Sequence, residues 1–334
     1  YEADPRQAER LIEGLGLEGD GVKSVVTPGQ KLEVEALKED KELEHDDHTV
    51  FRALAARSNY LAQDRIDLQF AAKEVCRFMS SPTLSSQNAL KRLGRFLVGH
   101  KRVIYKYPFQ RAEHIEVYSD TDWSGCPRTR RSTSGGCIMV GRHCLRTWSS
   151  TQPSVTLSSG EAEYYGLVKA AGAGLGHQSL MQDLNVQLPV RAWTDSSAAL
   201  GIATRSGLGK IRHLETHTLW LQEKVRTKAI SVRKVRGEVN PADLFTKHLE
   251  SAKRLEHLLS MFSCSFMRGR AATAPSLKKA SGSAPSPATA AAAVELNMLP
   301  HLLPRDMMEQ DFPRFEAPGK AFDEVDITPE TELS

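Results

Sequence analysis

The stretch HIEVYSDTDW, residues 114–123, decides the fold, because it joins a strand pattern to two carboxylates at its end. The alternating apolar residues and the aromatic that follows them are typical of a β-strand with one buried face. We predict that this strand ends at Asp120, where a turn containing glycine and arginine begins. Functional side chains of α/β proteins usually project from the carboxyl ends of strands. Asp120 is therefore either a turn-starting residue or part of a site, and Asp122 fits the turn better.

Further short runs of β-branched and aromatic residues surround this strand. Three antiparallel strands joined by hairpins, followed by alternation of strands and helices, predict an α/β fold with a mixed sheet and helices on its faces. The runs that we assign to strands of this one sheet are RVIYKY (102–107), HIEVYSD (114–120), GGCIMVG (135–141), CLRTWSS (144–150), VRAWTD (190–195) and AISVRKV (229–235). A helix over about 158–184 and another from Pro241 complete the pattern.

The chain divides into three parts by composition. Residues 1–109 are mostly helical, with a helical apolar period from Phe51 onward. Residues 110–250 carry the sheet. Residues 251–334 become rich in alanine, serine and proline, and we predict that this tail is disordered because it cannot bury enough apolar area to offset its ordering entropy.

Composition and charge set wider limits. The chain has 334 residues and a formal net charge of +3, which is too small to indicate a nucleic-acid partner by itself. The five cysteines show no metal-binding spacing, so unpaired thiols in a reducing compartment are expected. There is no apolar run of membrane-spanning length and no basic-then-apolar leader. We therefore expect an intracellular protein, cytoplasmic or nuclear, without a membrane partner.

Four carboxylates stand out as candidates for a shared site: Asp120, Glu163, Asp195 and Asp243. Asp195 repeats the placement of Asp120, at the end of a strand. Glu163 begins the inward-facing stripe of the predicted helix, where a carboxylate is costly unless a cation neutralises it. If the strands that carry Asp120 and Asp195 are adjacent and parallel, both side chains emerge at one edge of the sheet, where helix N-termini can bring the other two.

Each of these carboxylates also has a structural interpretation. Asp195 could cap the following helix, and Asp243 could serve the helix dipole. Glu161, two residues before Glu163, forms a capping box with Ser158. A site made only of carboxylate oxygens suits Mg²⁺ or Mn²⁺ rather than zinc, and two such ions activate water for phosphodiester hydrolysis.

A basic turn follows the Asp120 strand. Arg128, Arg130 and Arg131, with Ser132 and Thr133, could contact the phosphates of a nucleic acid, and we take Arg130, Arg131, Ser132 and Thr133 as candidates. A solvated loop explains the same residues equally well. The motif HLETH places His213 and His217 on one helix face, but Leu214 stands where a zinc peptidase needs glutamate, so structural histidines are expected.

These residues, in this order, resemble the ribonuclease H domain of Ty1/copia-type retrotransposon Pol polyproteins. The family's run of tyrosine, serine, aspartate, any residue, aspartate and tryptophan is present as YSDTDW. Matching segments follow it: RRSTSGG, TWSSTQPSVTLSSGEAEY, TDSSAAL, RHLETH and NPADLFTKHL. Residues 1–109 look like the end of the family's reverse transcriptase, beyond its polymerase centre. The resemblance covers roughly residues 1–249.

The resemblance implies a fold, an activity and a set of ligands. The fold is a ribonuclease H-like, five-stranded mixed sheet, and the activity is endonucleolytic cleavage of the RNA strand of an RNA–DNA hybrid. Asp120, Glu163, Asp195 and Asp243 match the family's acidic residues, which hold two Mg²⁺ or Mn²⁺ ions. The implied partners are the hybrid and other parts of a Pol polyprotein. The polymerase aspartates are absent, so DNA synthesis is not expected.

Two other functions stay open at this point. The chain could be a catalytically inactive retroelement remnant that binds nucleic acid or has a structural role. It could also be a nuclease or integrase of the same fold that cuts DNA. Retention of four carboxylates favours the enzyme, since a pure binding module has no use for buried like charges.

Overall fold

The N-terminal part of the chain folds into helices, as its apolar period predicts. The computed structural model describes residues 1–19, 21–31, 39–209, 213–214 and 216–277. The first helix is capped by Asp4, whose side chain accepts a hydrogen bond from the backbone N–H of Arg6. The helices of this helical segment are α1 (Pro5–Gly14), α2 (His45–Asp64), α3 (Gln69–Cys76) and α4 (Leu84–Gly99).

A short strand follows the helical segment and corrects the predicted extent of the sheet. Strand β1 (Arg102–Tyr105), the predicted run RVIYKY, does not join the main sheet. It pairs antiparallel with Cys264–Met267, close to the end of the described chain. The prediction that RVIYKY belongs to the one sheet was therefore wrong, because its partner lies more than 150 residues away and leaves no local signal.

The main sheet has five strands in the described residues and confirms the predicted mixed α/β class. Strands β2, β3 and β4 are antiparallel neighbours, whereas β2 pairs with β5 and β5 pairs with β6 in parallel. The spatial order is β4-β3-β2-β5-β6, which is the ribonuclease H-like arrangement that the resemblance implies. The strands are β2 (Ile115–Asp122), β3 (Thr133–Val140), β4 (His143–Thr151), β5 (Val190–Thr194) and β6 (Ile230–Lys234).

One face of the sheet is covered by the long helix α5 (Ser159–Asp183), with α6 (Ser197–Thr204) and α7 (Trp220–Arg226) beside it. Their apolar side chains form a core with Ile115, Val117 and other sheet residues. Close approach of α5 depends on Gly166, since a Cβ atom there would lie 2.5 Å from Oγ1 of Thr121.

The opposite face of the sheet packs against the helical segment. Leu68 and Phe96 share a hydrophobic core with Cys137 and Met139 of β3. The helix predicted from Pro241 is a short 3₁₀ helix, Pro241–Phe245, and it lies on this face. Gly135 permits this contact, because a Cβ atom there would come within 3.0 Å of the Phe245 backbone. All of the described residues belong to one compact unit.

The predicted tail begins later than residue 251. Residues 252–267 form helix α8 (Ala252–Met261) and strand β7 (Cys264–Met267), the partner of β1. The apolar face of α8 explains this difference, since Leu255, Leu258 and Leu259 are buried in the core that the helical segment forms. The alanine-rich run from residue 278 lies outside the described residues. Within them, no helix is long and apolar enough to cross a membrane.

Candidate active site

Three of the four predicted carboxylates meet at one edge of the sheet. Strands β2 and β5 are adjacent and parallel, so Asp120 near the end of β2 and Asp195 just after β5 emerge together. Glu163 reaches the same place from the first turns of α5. One carboxylate oxygen from each residue lies within 4.8 Å of the other two. We call these three residues the acidic cluster.

The acidic cluster holds more negative charge than its surroundings neutralise. The Asp120 side chain is 3% exposed, and burial raises its pKa to about 6. Burial, followed by the charges of Asp120 and Asp195, raises the pKa of Glu163 to about 9. Oε2 of Glu163 is buried and has no hydrogen-bond partner among the described residues. Burial also raises the pKa of Asp195. Buried carboxylates without partners are costly, and they are characteristic of functional sites.

Asp243, the fourth predicted carboxylate, lies beside the acidic cluster but is already paired. It is buried in the 3₁₀ helix, where its Oδ1 is 2.7 Å from Nζ of Lys247 and its Oδ2 is 2.9 Å from Nη2 of Arg254. After burial, its charge contributes to the raised pKa of both Asp120 and Asp195. Asp243 therefore differs from the other three, because both of its oxygens have cationic partners.

Lys247 is a residue of the candidate site that the sequence analysis missed. Its Nζ lies 3.4 Å from Oδ2 of Asp120 and 2.7 Å from Oδ1 of Asp243, so one ammonium group joins the acidic cluster to its neighbour. Burial alone would lower the pKa of Lys247, but the two aspartates raise it above its usual value. The i, i+4 spacing from Asp243 within NPADLFTK was a signal for this ion pair.

The structural interpretations of two site residues can now be separated. The cap of α6 is Ser196, whose side chain accepts from the N–H of Ala199, so Asp195 is not the cap. Glu161 forms half of the predicted capping box: its N–H donates to Ser158 Oγ, but its carboxylate accepts from Leu157 N. Asp195 is thus free of a capping role, whereas Glu161 serves the start of α5.

The basic turn, residues 126–131, lies on the surface between β2 and β3. Arg130 and Arg131 are exposed, as phosphate contacts require. Ser132 and Thr133 correct the prediction, because both are buried. Ser132 Oγ accepts from the N–H of Ser124 at 3.0 Å, and Thr133 Oγ1 accepts from Nζ of Lys73 at 2.7 Å. Both hydroxyls are engaged in hydrogen bonds within the protein. The two arginines therefore remain as the nucleic-acid candidates.

The acidic cluster fits divalent metal ions. Its donors are carboxylate oxygens only, which Mg²⁺ and Mn²⁺ prefer. The unpartnered Oε2 of Glu163 and the raised pKa of each carboxylate indicate a deficit of positive charge that a divalent ion would relieve. Asp120, Glu163 and Asp195 are the residues that could hold such ions, with Asp243 next to them.

Comparisons with known proteins place this geometry in context. No family model matches the chain. It is 35% identical over 130 residues to an uncharacterized mitochondrial protein of Arabidopsis thaliana, covering 38% of this chain and 53% of that protein. It is 29% identical over 209 residues to the retrovirus-related Pol polyprotein from transposon RE2 of the same plant, covering 61% of this chain and 14% of the polyprotein.

A second Pol polyprotein and a solved structure are also similar to the chain. The Pol polyprotein from transposon TNT 1-94 of Nicotiana tabacum is 26% identical, with 55% of this chain and 14% of the polyprotein covered. The chain thus spans about half of the mitochondrial relative and a small part of the polyproteins. A solved N-terminal RNase H domain from Mycobacterium tuberculosis is 16% identical, with a TM-score of 0.28, over 45% of this chain and 98% of that chain.

Proposed function

Because the chain belongs to the retrovirus-related Pol polyproteins of copia-type transposons, we propose that it is a metal-dependent endonuclease that cleaves the RNA strand of RNA–DNA hybrids. The observation that carries this proposal is the acidic cluster, whose three carboxylates lie within 4.8 Å of one another at the edge of the sheet. A pair of Mg²⁺ or Mn²⁺ ions bound there would activate a water molecule and stabilise the leaving oxygen of a phosphodiester.

The side chains of the site have separate roles in this proposal. Asp120 and Asp195 supply carboxylate oxygens from rigid strand ends, and Glu163 supplies a third from α5. Asp243 is the fourth candidate ligand, and its oxygens pair with Lys247 and Arg254. Burial of the Asp120 carboxylate excludes water and so strengthens the attraction of the cluster for a divalent ion.

Binding of the nucleic acid is assigned to the surface around the cluster. Arg130 and Arg131 lie in the turn that directly follows the Asp120 strand, so they would contact phosphates close to the scissile bond. In a complete Pol polyprotein, the helical segment would connect this nuclease to the preceding domain. We do not assign DNA synthesis to the chain, because the aspartates of a polymerase centre are absent from its sequence.

A hybrid-cleavage assay tests the proposal. The purified chain is incubated with an end-labelled RNA–DNA hybrid, with Mg²⁺ or with a chelator, and beside it with duplex DNA. We expect metal-dependent cuts in the RNA strand that leave a 3′-hydroxyl, and their loss in Asp195→Asn. Glu223→Gln, which changes an exposed carboxylate of α7, is the matched control and should cleave normally.

Each alternative function gives a distinct result in this assay. A wild type that binds the hybrid but leaves it intact at any Mg²⁺ or Mn²⁺ concentration identifies an inactive remnant and contradicts the proposal. Cleavage of duplex DNA in preference to the hybrid identifies a DNA nuclease of the same fold, since reading of the 2′-hydroxyl is what distinguishes RNA.

A further inference from the structure

The basic turn is connected to the helical segment by three side-chain contacts. Nζ of Lys73, on α3, donates to Oγ1 of Thr133 at 2.7 Å, where the turn enters β3. Nη2 of Arg77 donates to Oγ1 of Thr129 at 3.3 Å, at the tip of the turn. The guanidinium of Arg128 lies over the ring of Phe78, 5.0 Å from its centre. The partners are at least 50 residues apart in sequence, so these contacts exist only in the folded chain.

Two of the three contacts, those of Lys73 and Arg77, share one ion-pair partner at the end of α3. Glu74 Oε1 lies 2.5 Å from Nζ of Lys73 and 3.0 Å from Nη1 of Arg77, so one carboxylate fixes both cationic side chains. Their side chains are mostly buried, and Phe78 is buried as well. The ion pairs of Glu74 are partly buried, and such charge-assisted contacts have less freedom than fully exposed ion pairs. The end of α3 therefore forms a firm support beneath an exposed loop.

The turn itself has little other support. Its residues from Pro127 to Arg131 are exposed, and its own hydrogen bonds are local ones, such as Arg130 N to Cys126 O at 2.8 Å. Arg130 also adopts a φ of 57°, which non-glycine residues rarely adopt. A loop of this kind keeps one conformation only when its surroundings hold it. The contacts from α3 and Phe78 provide that restraint.

We propose that Lys73, Arg77 and Phe78 of the helical segment are positioning residues for substrate binding, because they hold the basic turn where Arg130 and Arg131 can contact the nucleic-acid backbone. The proposal rests on the proposed function of the site. It assigns to the helical segment a part in recognition of the hybrid, in addition to its share of the core. Arg77 acts through the turn and not by contact with the substrate.

A double-mutant cycle in the full chain tests this proposal. Affinity for a fluorescent RNA–DNA hybrid is measured by anisotropy in a chelator, over a range of salt concentrations, for wild type, Arg77→Gln, Arg130→Gln/Arg131→Gln and the combination of all three. We expect Arg77→Gln to weaken binding about fivefold and to lower the slope of log affinity against log salt by about one to two, as loss of phosphate contacts does. In the background that lacks both turn arginines, Arg77→Gln should change nothing further.

Two variants separate positioning from a general loss of stability. Phe78→Leu keeps the core apolar but removes the ring under Arg128, and it should weaken binding in the same non-additive way. Lys91→Gln, an exposed change on α4, removes the same charge from a helix that makes none of the three contacts with the turn, and it should lower the salt slope by less than about 0.5. Additive effects of Arg77→Gln and the turn variants, or an unchanged salt slope in Arg77→Gln, would overturn the proposal.

The same measurements distinguish failure of this proposal from failure of the proposed function. If the wild type binds the hybrid but does not cleave it with Mg²⁺, the nuclease assignment fails and the cycle still decides the role of Arg77. If the wild type cleaves and the cycle is additive, the nuclease stands and the positioning role is wrong. A wild type that does not bind the hybrid at all contradicts both.

Discussion

The buried ion pair of Arg65 and Asp67 contrasts with the acidic cluster. In the helical segment, the side chains of Arg65 and Asp67 are 2% and 0% exposed. Nε and Nη2 of Arg65 donate to the two oxygens of Asp67 at 2.9 and 2.7 Å. The guanidinium also donates to the carbonyls of His100 and Lys101. Each charge is thus answered by a partner of opposite sign in fixed geometry.

The acidic cluster is compensated less fully: Asp120 accepts a hydrogen bond from Thr246 and lies beside Lys247, whereas Oε2 of Glu163 has no partner among the described residues. Asp120, Glu163 and Asp195 repel one another. The Lys247 side chain, which contacts Asp120, is 47% exposed and is shared with Asp243. Breaking a buried pair is strongly destabilising, whereas buried like charges cost stability and are characteristic of functional sites. The contrast indicates which of the buried charges are structural and which belong to a site.

The variant that tests this contrast with the largest expected effect is Asp120→Asn, which removes the charge of the buried carboxylate. We expect Asp120→Asn to lower the rate of hybrid cleavage by about a thousandfold, equivalent to about 4 kcal/mol of barrier, without lowering stability. In the proposed function the carboxylate is needed to hold the metal, whereas its burial makes the charged form unfavourable for folding. Cleavage kinetics and thermal unfolding in a chelator measure the two effects. Asp122→Asn, two residues further along at the end of β2, is the control and should retain activity within a few-fold.

The opposite result is equally informative. If Asp120→Asn unfolds at a lower temperature than the wild type in a chelator, the carboxylate has a structural role after all. The acidic cluster would then be of the same kind as the Arg65 pair, and the distinction drawn between them would be wrong.

Neutralising Asp67 should affect stability and not chemistry. Asp67→Asn leaves the buried Arg65 guanidinium without its counter-charge, and breaking a buried pair in this way costs about 3 kcal/mol or more of the free energy of unfolding. Urea unfolding measures the loss, and cleavage by the fraction that remains folded should be normal. Asp183→Asn, an exposed change at the end of α5, should alter the free energy of unfolding by less than about 0.5 kcal/mol. A similar loss in both variants would contradict this assignment.

The two regions also differ in how far the sequence predicts them. Asp120 and Asp195 could be predicted as neighbours, because both lie near the ends of strands and parallel strands end at the same edge. The predicted strand end at Asp120 was wrong by two residues, since β2 continues to Asp122, where it still pairs with Thr133. The Arg65 pair could not, since its geometry depends on the carbonyls of His100 and Lys101, which only the folded chain brings near. Long-range contacts of this kind have no period and no local motif.

The same limit explains the other differences. The sequence predicts that Thr133 is an exposed hydroxyl in the basic turn. In the structure it is buried and bonded to Nζ of Lys73, which is 60 residues away in the chain. The sequence predicts that strand β1 belongs to the main sheet. Its partner β7 lies in the segment that composition assigns to the tail, so the true pairing could not be predicted. Local pattern therefore predicts elements and strand ends, whereas partners that are distant in sequence decide which polar groups are buried.

A smaller effect should follow from neutralising Glu163. Its pKa in the folded state is about 9, above the ordinary 4.5, so folding favours its protonated form. The stability from this group is present below about pH 4.5 and is lost as the pH rises towards 9. In a chelator, Glu163→Gln should therefore unfold at a higher temperature than the wild type at pH 8, with a smaller difference at pH 5.

With Mg²⁺ present, the wild type should unfold at a higher temperature than Glu163→Gln. The wild type gains stability from a bound ion, whereas Glu163→Gln lacks one ligand and gains less. Thermal unfolding from pH 5 to pH 9, with and without Mg²⁺, gives all four curves. Glu223→Gln, on the surface of α7, should follow the wild type throughout. A pH-independent difference between Glu163→Gln and the wild type would show that packing, and not charge, is responsible.

The smallest expected effect concerns Lys247, which forms ion pairs with both Asp120 and Asp243. Its ammonium partly neutralises Asp120, as Arg65 neutralises Asp67, but its 47% exposure to solvent weakens the attraction. A divalent ion that binds the acidic cluster must tolerate or displace this positive charge. Lys247→Gln should therefore bind Mg²⁺ about threefold more tightly by calorimetric titration, while Lys253→Gln, an exposed lysine of α8, should match the wild type. Weaker binding in Lys247→Gln would mean that the ammonium orients Asp120 for the metal, and that this carboxylate resembles the Arg65 pair in needing a fixed cation.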